Sequence, residues 1–276
     1  MSDRRGALDR LDATTIMAPL TLAKSHPTLL RVLKPGMSVL DVGCGPGTLT
    51  TEIARRVDPA AVVGMDANPE MIRAAEGASP PGRIPNLIFC AGDIRESDWH
   101  EEWDVVNAAH TLQWIPYPIV AVRRMARAAV PGGLVVLLDV DHTRAEWSDP
   151  PEPWTRFHTA FLAWREGCRL DNAVGRHLSL LCEEAGLVET TSASSTETVR
   201  ADDHDFFRAA GRWRMMIESR GRQMVAAGYF AEADRREALG AFTEWMKGRK
   251  ATQTFHETCI VAQRPRGSSA ARRLSG

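Results

Sequence analysis

Apolar and polar positions along this chain fall into short aliphatic runs separated by longer stretches with helical periodicity. The run Ser38 to Val42 carries one acid, Asp41, and otherwise reads as a strand buried on both faces. It breaks at Gly43-Cys44-Gly45-Pro46-Gly47, and Leu49, Ile53, Ala54 and Val57 then mark one face of a helix. Further runs follow at Ala61 to Asp66, Leu87 to Cys90 and Trp103 to His110. Asn68 as N-cap, with Pro69 at the first helical position, opens a helix after the second run. Pro118 to Val130 is amphipathic, with Ile119, Val122, Met125, Ala126, Ala129 and Val130 inward and Arg123, Arg124 and Arg127 outward. Pro131-Gly132-Gly133 reads as a turn into a fifth strand, Leu134 to Val140. A helix over Val174 to Ala185 is expected to stop at Gly186. Leu187 to Thr198 and Thr254 to Val261 read as the last two strands, paired as an antiparallel edge hairpin. Strands alternating with helices predict an α/β fold with a doubly wound, mostly parallel sheet of seven strands.

The first strand-to-helix turn carries the chemistry. Its glycines let the backbone bend sharply and let a ligand lie against bare main chain. A helix N-terminus just beyond favours negative charge, so a pyrophosphate or a free amino-acid carboxylate would suit it. A full G-x-G-x-x-G fingerprint is not met, because Gly43 and Gly45 are followed by Gly47 and Thr48. Asp66 ends the second strand about twenty residues on, where nucleotide-binding folds place a carboxylate on ribose hydroxyls. The third strand ends in Gly92-Asp93-Ile94, with Asp93 suited to accept from an adenine amine beside the Ile94 N–H.

Taken together, Asp41-x-Gly-x-Gly-x-Gly, Asp66, Gly92-Asp93-Ile94 and Pro131-Gly132-Gly133 resemble the successive motifs of class I S-adenosylmethionine-dependent methyltransferases. The resemblance is to the small-molecule kind related to the ubiquinone and menaquinone C-methyltransferases, and it covers roughly Leu30 to Val140. It implies a Rossmann-like methyltransferase fold with S-adenosyl-L-methionine as cofactor. Gly43, Cys44 and Gly45 would meet the methionine part through their backbone, with Asp41 supporting the loop by accepting backbone N–H groups or only through water. Asp66 would take the ribose hydroxyls, Ala67 and Met71 would flank the adenine, and Gly92, Asp93 and Ile94 would meet its edge. Asn107 and Ala108 would complete the cofactor site, and His110 at the end of the fourth strand would face the methyl. His110 is then the candidate general base, since a histidine titrates near neutrality, or else a residue that only positions the acceptor.

The stretches Asp141 to Asn172 and Ala201 to Lys250 are too long for bare loops, and each has helical periodicity of its own. Trp154, Phe157, Phe161 and Trp164 recur at three-four spacing, as do Phe206, Ala210, Trp213 and Ile217. Leaving from the carboxyl edge of the sheet, both are expected to form a helical cap over the cofactor. The domain boundaries that follow are 1–36 for an N-terminal helical segment over the site and 37–140 for the cofactor-binding core. Residues 141–172 and 201–250 form the cap insertions, 173–200 and 251–263 return to the core, and 264–276 form a disordered tail. Expected acceptor contacts are Met17, Thr21, His110, Trp114, Trp154, His158, Phe161, Arg165 and Trp213. The same aromatic stripe also serves the plainer purpose of gluing helices together.

Composition narrows the partners. A net charge of -1 in 276 residues argues against a protein that lives on nucleic acid or anionic membrane. The five cysteines are scattered and lack C-x-x-C spacing, so neither a disulfide framework nor a zinc site is implied, and no His-carboxylate cluster suggests another metal. With neither a leader pattern nor an apolar span visible, the expectation is a cytoplasmic monomer or homodimer. The 8 Trp against 2 Tyr suit a flat aromatic acceptor or a cationic centre. The leading expectation is methyl transfer to the O, N or C of an aromatic or natural-product metabolite, as in small-molecule biosynthesis and secondary metabolism. Carbon methylation of an electron-rich ring such as an indole belongs within it. The alternatives are a non-methylating cyclase or binding protein on the same cofactor fold, and an RNA or protein methyltransferase.

Overall fold

A computed structural model describes residues 21–266, which fall into two compact units. In chain order the first elements are α1 (Leu22–Ser25), α2 (Pro27–Val32), β1 (Val39–Val42), α3 (Thr48–Val57), β2 (Val62–Asp66) and α4 (Pro69–Ala78). Then come β3 (Leu87–Ala91), β4 (Trp103–Ala109), α5 (Pro118–Ala128), β5 (Ala129–Val140), β6 (Glu146–Trp147) and α6 (Glu152–Gly167). The remainder is α7 (Val174–Glu184), β7 (Val188–Arg200), α8 (Phe206–Ala226), α9 (Glu232–Met246) and β8 (Thr252–Gln263).

One unit comprises residues 21–139, Val174–Ser194 and 258–266. Its strands run in the order β3-β2-β1-β4-β5-β8, with β7 beside β8. β1 pairs in parallel with β2 on one side and β4 on the other, bringing Asp41 level with Gly64 and Asn107. The chain therefore leaves β1 in one direction for β2 and β3, then returns to its other side for β4. That reversal is a topological switch point, the place where open α/β sheets bind ligands. Strand residues alternate between two cores, as the period of two requires. Leu40, Val106 and Leu137 face a cluster with Val122, Met125 and Leu178. Val39, Val105 and Val136 face Leu29, Ile53 and Val57.

The predicted parallel core and antiparallel edge pair are both present, with corrections. Pro131-Gly132-Gly133 is part of β5 rather than a turn before it. The reason is a partner: the Gly132 N–H donates to Arg264 O, and the Arg264 N–H donates to Gly133 O, each at 2.9 Å. Arg264 was expected in a loose tail, yet its guanidinium donates to Arg127 O at 2.9 Å and Ala129 O at 2.6 Å and pairs with Glu101 at 2.7 Å. The described sheet has eight strands rather than seven, because the two-residue β6 was not legible as a strand.

The other unit comprises, within the described residues, Val140–Ala173 and Ser195–Glu257. It holds α6, α8 and α9, the short β6, and the adjoining ends of β7 and β8. Both long stretches outside the parallel-strand pattern do fold as helices, and their aromatic stripes become a core of Trp154, Phe157, Phe161, Phe206, Trp213 and Phe242. No helix among the described residues is long and apolar enough to cross a membrane.

Candidate functional site

At the carboxyl ends of β1, β2 and β4 the chain builds a tight glycine loop. The N–H groups of Gly43 and Cys44 both donate to Met65 O, at 2.7 and 3.0 Å. Gly43, Gly45 and Gly47 all adopt left-handed backbone, with φ of 72°, 54° and 76°. A Cβ on Gly43 would fall on the Thr111 side chain, and one on Gly47 would come within 2.5 Å of the Phe89 ring. A Cβ on Gly45 would meet nothing within 4 Å. Two of the glycines are thus demanded by packing, whereas the third faces open space.

Asp66 stands at the edge of that space. Its Oδ2 accepts the Gly45 N–H at 2.9 Å, and its Oδ1 accepts the Asn68 N–H at 2.8 Å. One carboxylate therefore ties the loop to the start of α4, where Asn68 caps the Glu70 N–H. Each carboxylate oxygen can accept more than one bond, so capacity for a diol remains. The Gly92 N–H donates to Asp66 O at 3.0 Å, bringing the third strand's end alongside. Ala67 is exposed and Met71 half-buried in the first turn of α4.

Asp93 and Ile94 are adjacent, but with an unforeseen neighbour. The Arg95 guanidinium donates to both Asp93 oxygens, at 3.0 and 2.5 Å. That pairing holds the Asp93 carboxyl below the usual range. Ile94 is buried under the sheet end at 2% exposure.

Behind the loop lies a buried polar relay. His26 Nδ1 accepts the Leu29 N–H at 3.4 Å as cap of α2, and its Nε2 lies 3.1 Å from Asn107 Oδ1. Asn107 Nδ2 donates to Asp41 Oδ1 at 2.8 Å, and the Thr50 hydroxyl donates to Asp41 Oδ2 at 2.6 Å. The cap bond assigns the ring proton to Nε2, so donors and acceptors match along the whole chain. Burial lowers the His26 pKa to about 4, opposed by the Asn107 bond and helped by nearby His110. Burial also pushes the Asp41 carboxyl up, against the Thr50 and Asn107 bonds. Of the two expected roles for Asp41, accepting backbone N–H groups or acting through water, the first is replaced: its oxygens accept from the Thr50 hydroxyl and the Asn107 amide. Ala108 is buried beside this relay in β4.

His110 follows β4 with φ of 53°, a conformation that costs a non-glycine residue about 1 kcal/mol. Its N–H donates to Leu138 O at 2.7 Å, and its carbonyl accepts from Gln113 Nε2 at 3.2 Å. Asp139 Oδ2 in turn accepts the Gln113 N–H at 3.0 Å, bracing the turn that carries half-buried Trp114. Thr21 is exposed and caps α1 through the Lys24 N–H. Met17 lies outside the described residues.

The remaining predicted residues belong to the helical unit. Trp154, Phe161 and Trp213 are buried in its aromatic core, and His158 is half-buried among them. Arg165 is fully buried; its Nε donates to Asn172 Oδ1 at 2.8 Å, and its guanidinium carbon lies 5.5 Å from the Phe161 ring centre. Sequence reasoning missed His26, Thr50, Arg95 and Thr111. Arg95 had a signal in its two-residue spacing from Asp93. His26 had one in preceding Pro27 as a helix cap, but its 81-residue separation from Asn107 had none.

A glycine loop, a strand-end acid and a switch-point crevice form the geometry against which known proteins can be compared. The chain matches the model of a methyltransferase domain family over residues 33–185, more than half of its 276 residues. It is 28% identical over 176 residues to a trans-aconitate 2-methyltransferase of Methylobacterium radiotolerans, covering 64% of this chain and 62% of that one. It is 32% identical over 121 residues to the probable methyltransferase ltbC of Aspergillus luteorubrus, covering 40% and 42%. The chain thus spans less than two thirds of the length of these relatives. Among solved structures, the YcgJ protein of Bacillus subtilis superposes with a TM-score of 0.59 at 15% identity, covering 88% and 99%. The [4+2]-cyclase SpnF superposes at 0.55 and 18% identity, covering 87% and 80%. The relatives named here are not quinone C-methyltransferases, so the broader resemblance is the one that holds. With the family match spanning the loop, the strand-end acids and the switch point together, the chain belongs to the methyltransferase domain family.

Proposed function

We propose that this protein transfers a methyl group from S-adenosyl-L-methionine to a small-molecule acceptor, an aromatic or natural-product metabolite. The observation that carries the reading is the open space at Gly45 beside the Asp66 carboxylate, a cradle that a Cβ would enter. When bound, the cofactor supplies an activated methyl on a sulfonium. The chain's task is then chiefly alignment and exclusion of water. Gly43, Cys44 and Gly45 hold the methionine part through main chain, Asp66 the ribose, and Ala67 with Met71 the adenine faces. Asp93, braced by Arg95, and Ile94 meet the adenine edge beside Gly92, and Asn107 and Ala108 close the floor. The trans-aconitate 2-methyltransferases among the relatives support an acceptor of small-molecule size.

Calorimetry tests the cofactor assignment. Asp66→Ala is expected to weaken S-adenosylmethionine binding by about 100-fold, the worth of two charge-assisted hydrogen bonds. An affinity within twofold of wild type would remove Asp66 from the site. Release of S-adenosylhomocysteine during turnover separates methyl transfer from a non-methylating use of the same fold.

His110 is assigned the acceptor side, as base or positioning group, on the strength of its strained backbone at the strand end. An acceptor identified with methyl-labelled cofactor allows a pH–rate profile of wild type and His110→Gln. A base would cost about 10²–10⁴ in rate and erase the acidic limb; a positioning role keeps the limb and costs less. Identical profiles and rates would exclude both.

A further inference from the structure

One residue holds Asp93 from two directions. The Arg95 main-chain N–H donates to Asp93 Oδ1 at 2.9 Å. The Arg95 Nε–H is shared between the two carboxylate oxygens, 3.0 Å from each, and Nη2 donates to Oδ2 at 2.5 Å. A carboxylate offers about four acceptor positions, so three N–H groups of Arg95 leave room for one further donor. The turn that carries the pair is itself fixed. The Glu96 and Ser97 N–H groups donate to Asp93 O and Ile94 O at 3.0 and 3.2 Å. The Ser97 hydroxyl also donates to Ile94 O at 3.0 Å, and Arg124 on α5 donates to Ser97 O at 3.3 Å.

The Arg95 and Asp93 side chains are 37% and 21% exposed, and an ion pair in partial contact with water contributes little to stability. What the guanidinium fork supplies is direction. Its parallel N–H groups fix the plane of the carboxylate, which a lysine ammonium cannot do. A carboxylate without such a partner turns broadly about its last side-chain bond and follows a donor that is displaced.

Direction matters because purines differ at this edge. Adenine presents an amino donor at C6 and an acceptor at N1. Hypoxanthine presents the reverse, a carbonyl acceptor at C6 and an N–H donor at N1. An Asp93 acceptor beside the Ile94 N–H donor matches the first order. A fixed carboxylate meets the second with both groups unpaired, whereas one free to turn can move across to the N1 donor.

We propose that Arg95 is a positioning residue that makes the site selective for a 6-aminopurine over a 6-oxopurine nucleoside, by holding the Asp93 carboxylate in one orientation. The inference rests on the proposed function, which brings the adenine edge to Asp93 and Ile94.

The probes are S-adenosylhomocysteine and S-inosylhomocysteine, which differ only at that edge, each titrated into the full chain by calorimetry. Wild type should prefer the adenosyl compound by about 100-fold or more, since a site built for one donor–acceptor order leaves groups unpaired with the other. Arg95→Met should cut that preference to roughly tenfold, as the turned carboxylate recovers one hydrogen bond to the inosyl compound. Arg95→Lys keeps the positive charge without the fork and should lose preference alike; it also covers the case in which the methionine variant fails to fold. A wild-type preference retained in folded Arg95→Met or Arg95→Lys, or a wild type that binds the two compounds equally, would overturn the inference and leave the cofactor assignment standing. A wild type that binds neither compound would remove the proposed function and this inference with it.

Discussion

Three glycines in one loop have different reasons to be glycine, and substitution separates them. Gly43→Ala places a methyl on Thr111 in a left-handed backbone, so stability should fall by roughly 2–3 kcal/mol in urea denaturation. Gly45→Ala meets no neighbour and bears only the backbone cost, about 1 kcal/mol. Its methyl would enter the cradle instead, so cofactor affinity measured by calorimetry should drop more than tenfold. Equal effects of the two changes on affinity and stability would refute the distinction. Cys44, between them, is an ordinary thiol: burial, with Asp41 and Asp66 nearby, pushes its pKa upward and disfavours the thiolate. A thiol of that kind fits the backbone role proposed for it.

Elements of the α/β unit are joined by the His26 relay, which links the cap of α2 to β4, β1 and α3. Such a relay makes the joint between elements sensitive to acid. The His26 pKa is lowered from 6.5 to about 4 in the folded protein. Above 6.5 the ring is neutral folded or unfolded and contributes no pH dependence. As pH falls from 6.5 toward 4, only the unfolded chain takes the proton, and stability declines by up to about 3 kcal/mol. Asp41 acts in the opposite sense, since its raised pKa lets the folded state take a proton first as pH falls. His26→Asn keeps a helix cap without a titrating ring. Urea denaturation across this window should show a shallower pH slope than in wild type, with the loss belonging to His158, whose pKa burial also lowers to about 4, persisting. Identical slopes would show that the relay does not couple the elements to pH. The same scale explains β5: Pro131-Gly132-Gly133 looked like a turn because its composition is that of one, while the partner strand that extends it is 131 residues away.

For the whole molecule, local pattern and distant contact divide the account cleanly. Parallel strands buried on both faces, the glycine loop, the Asn68 cap and the Gly186 stop were legible because burial on a sheet and backbone geometry at a turn leave local marks in residue type. The strand-end acid Asp66 was legible for the same reason, as spacing from the loop follows from one strand–helix–strand unit. Thr111 against Gly43, Arg264 on Gly132 and the His26–Asn107–Asp41 contacts were not, because a contact between segments far apart in the chain leaves no periodicity in the sequence; Arg95 on Asp93 left only its two-residue spacing as a signal. The aromatic stripes foretold helices, but not that Trp147 on β6 would pack its ring against the aromatic core those helices form. Amino-acid order by itself determined the family fold and the place of its glycine loop at the end of β1, since hydrophobic periodicity and glycine placement act over a few residues. Only tertiary structure decided which polar groups meet, because those contacts depend on chain segments brought together by the packing of the whole.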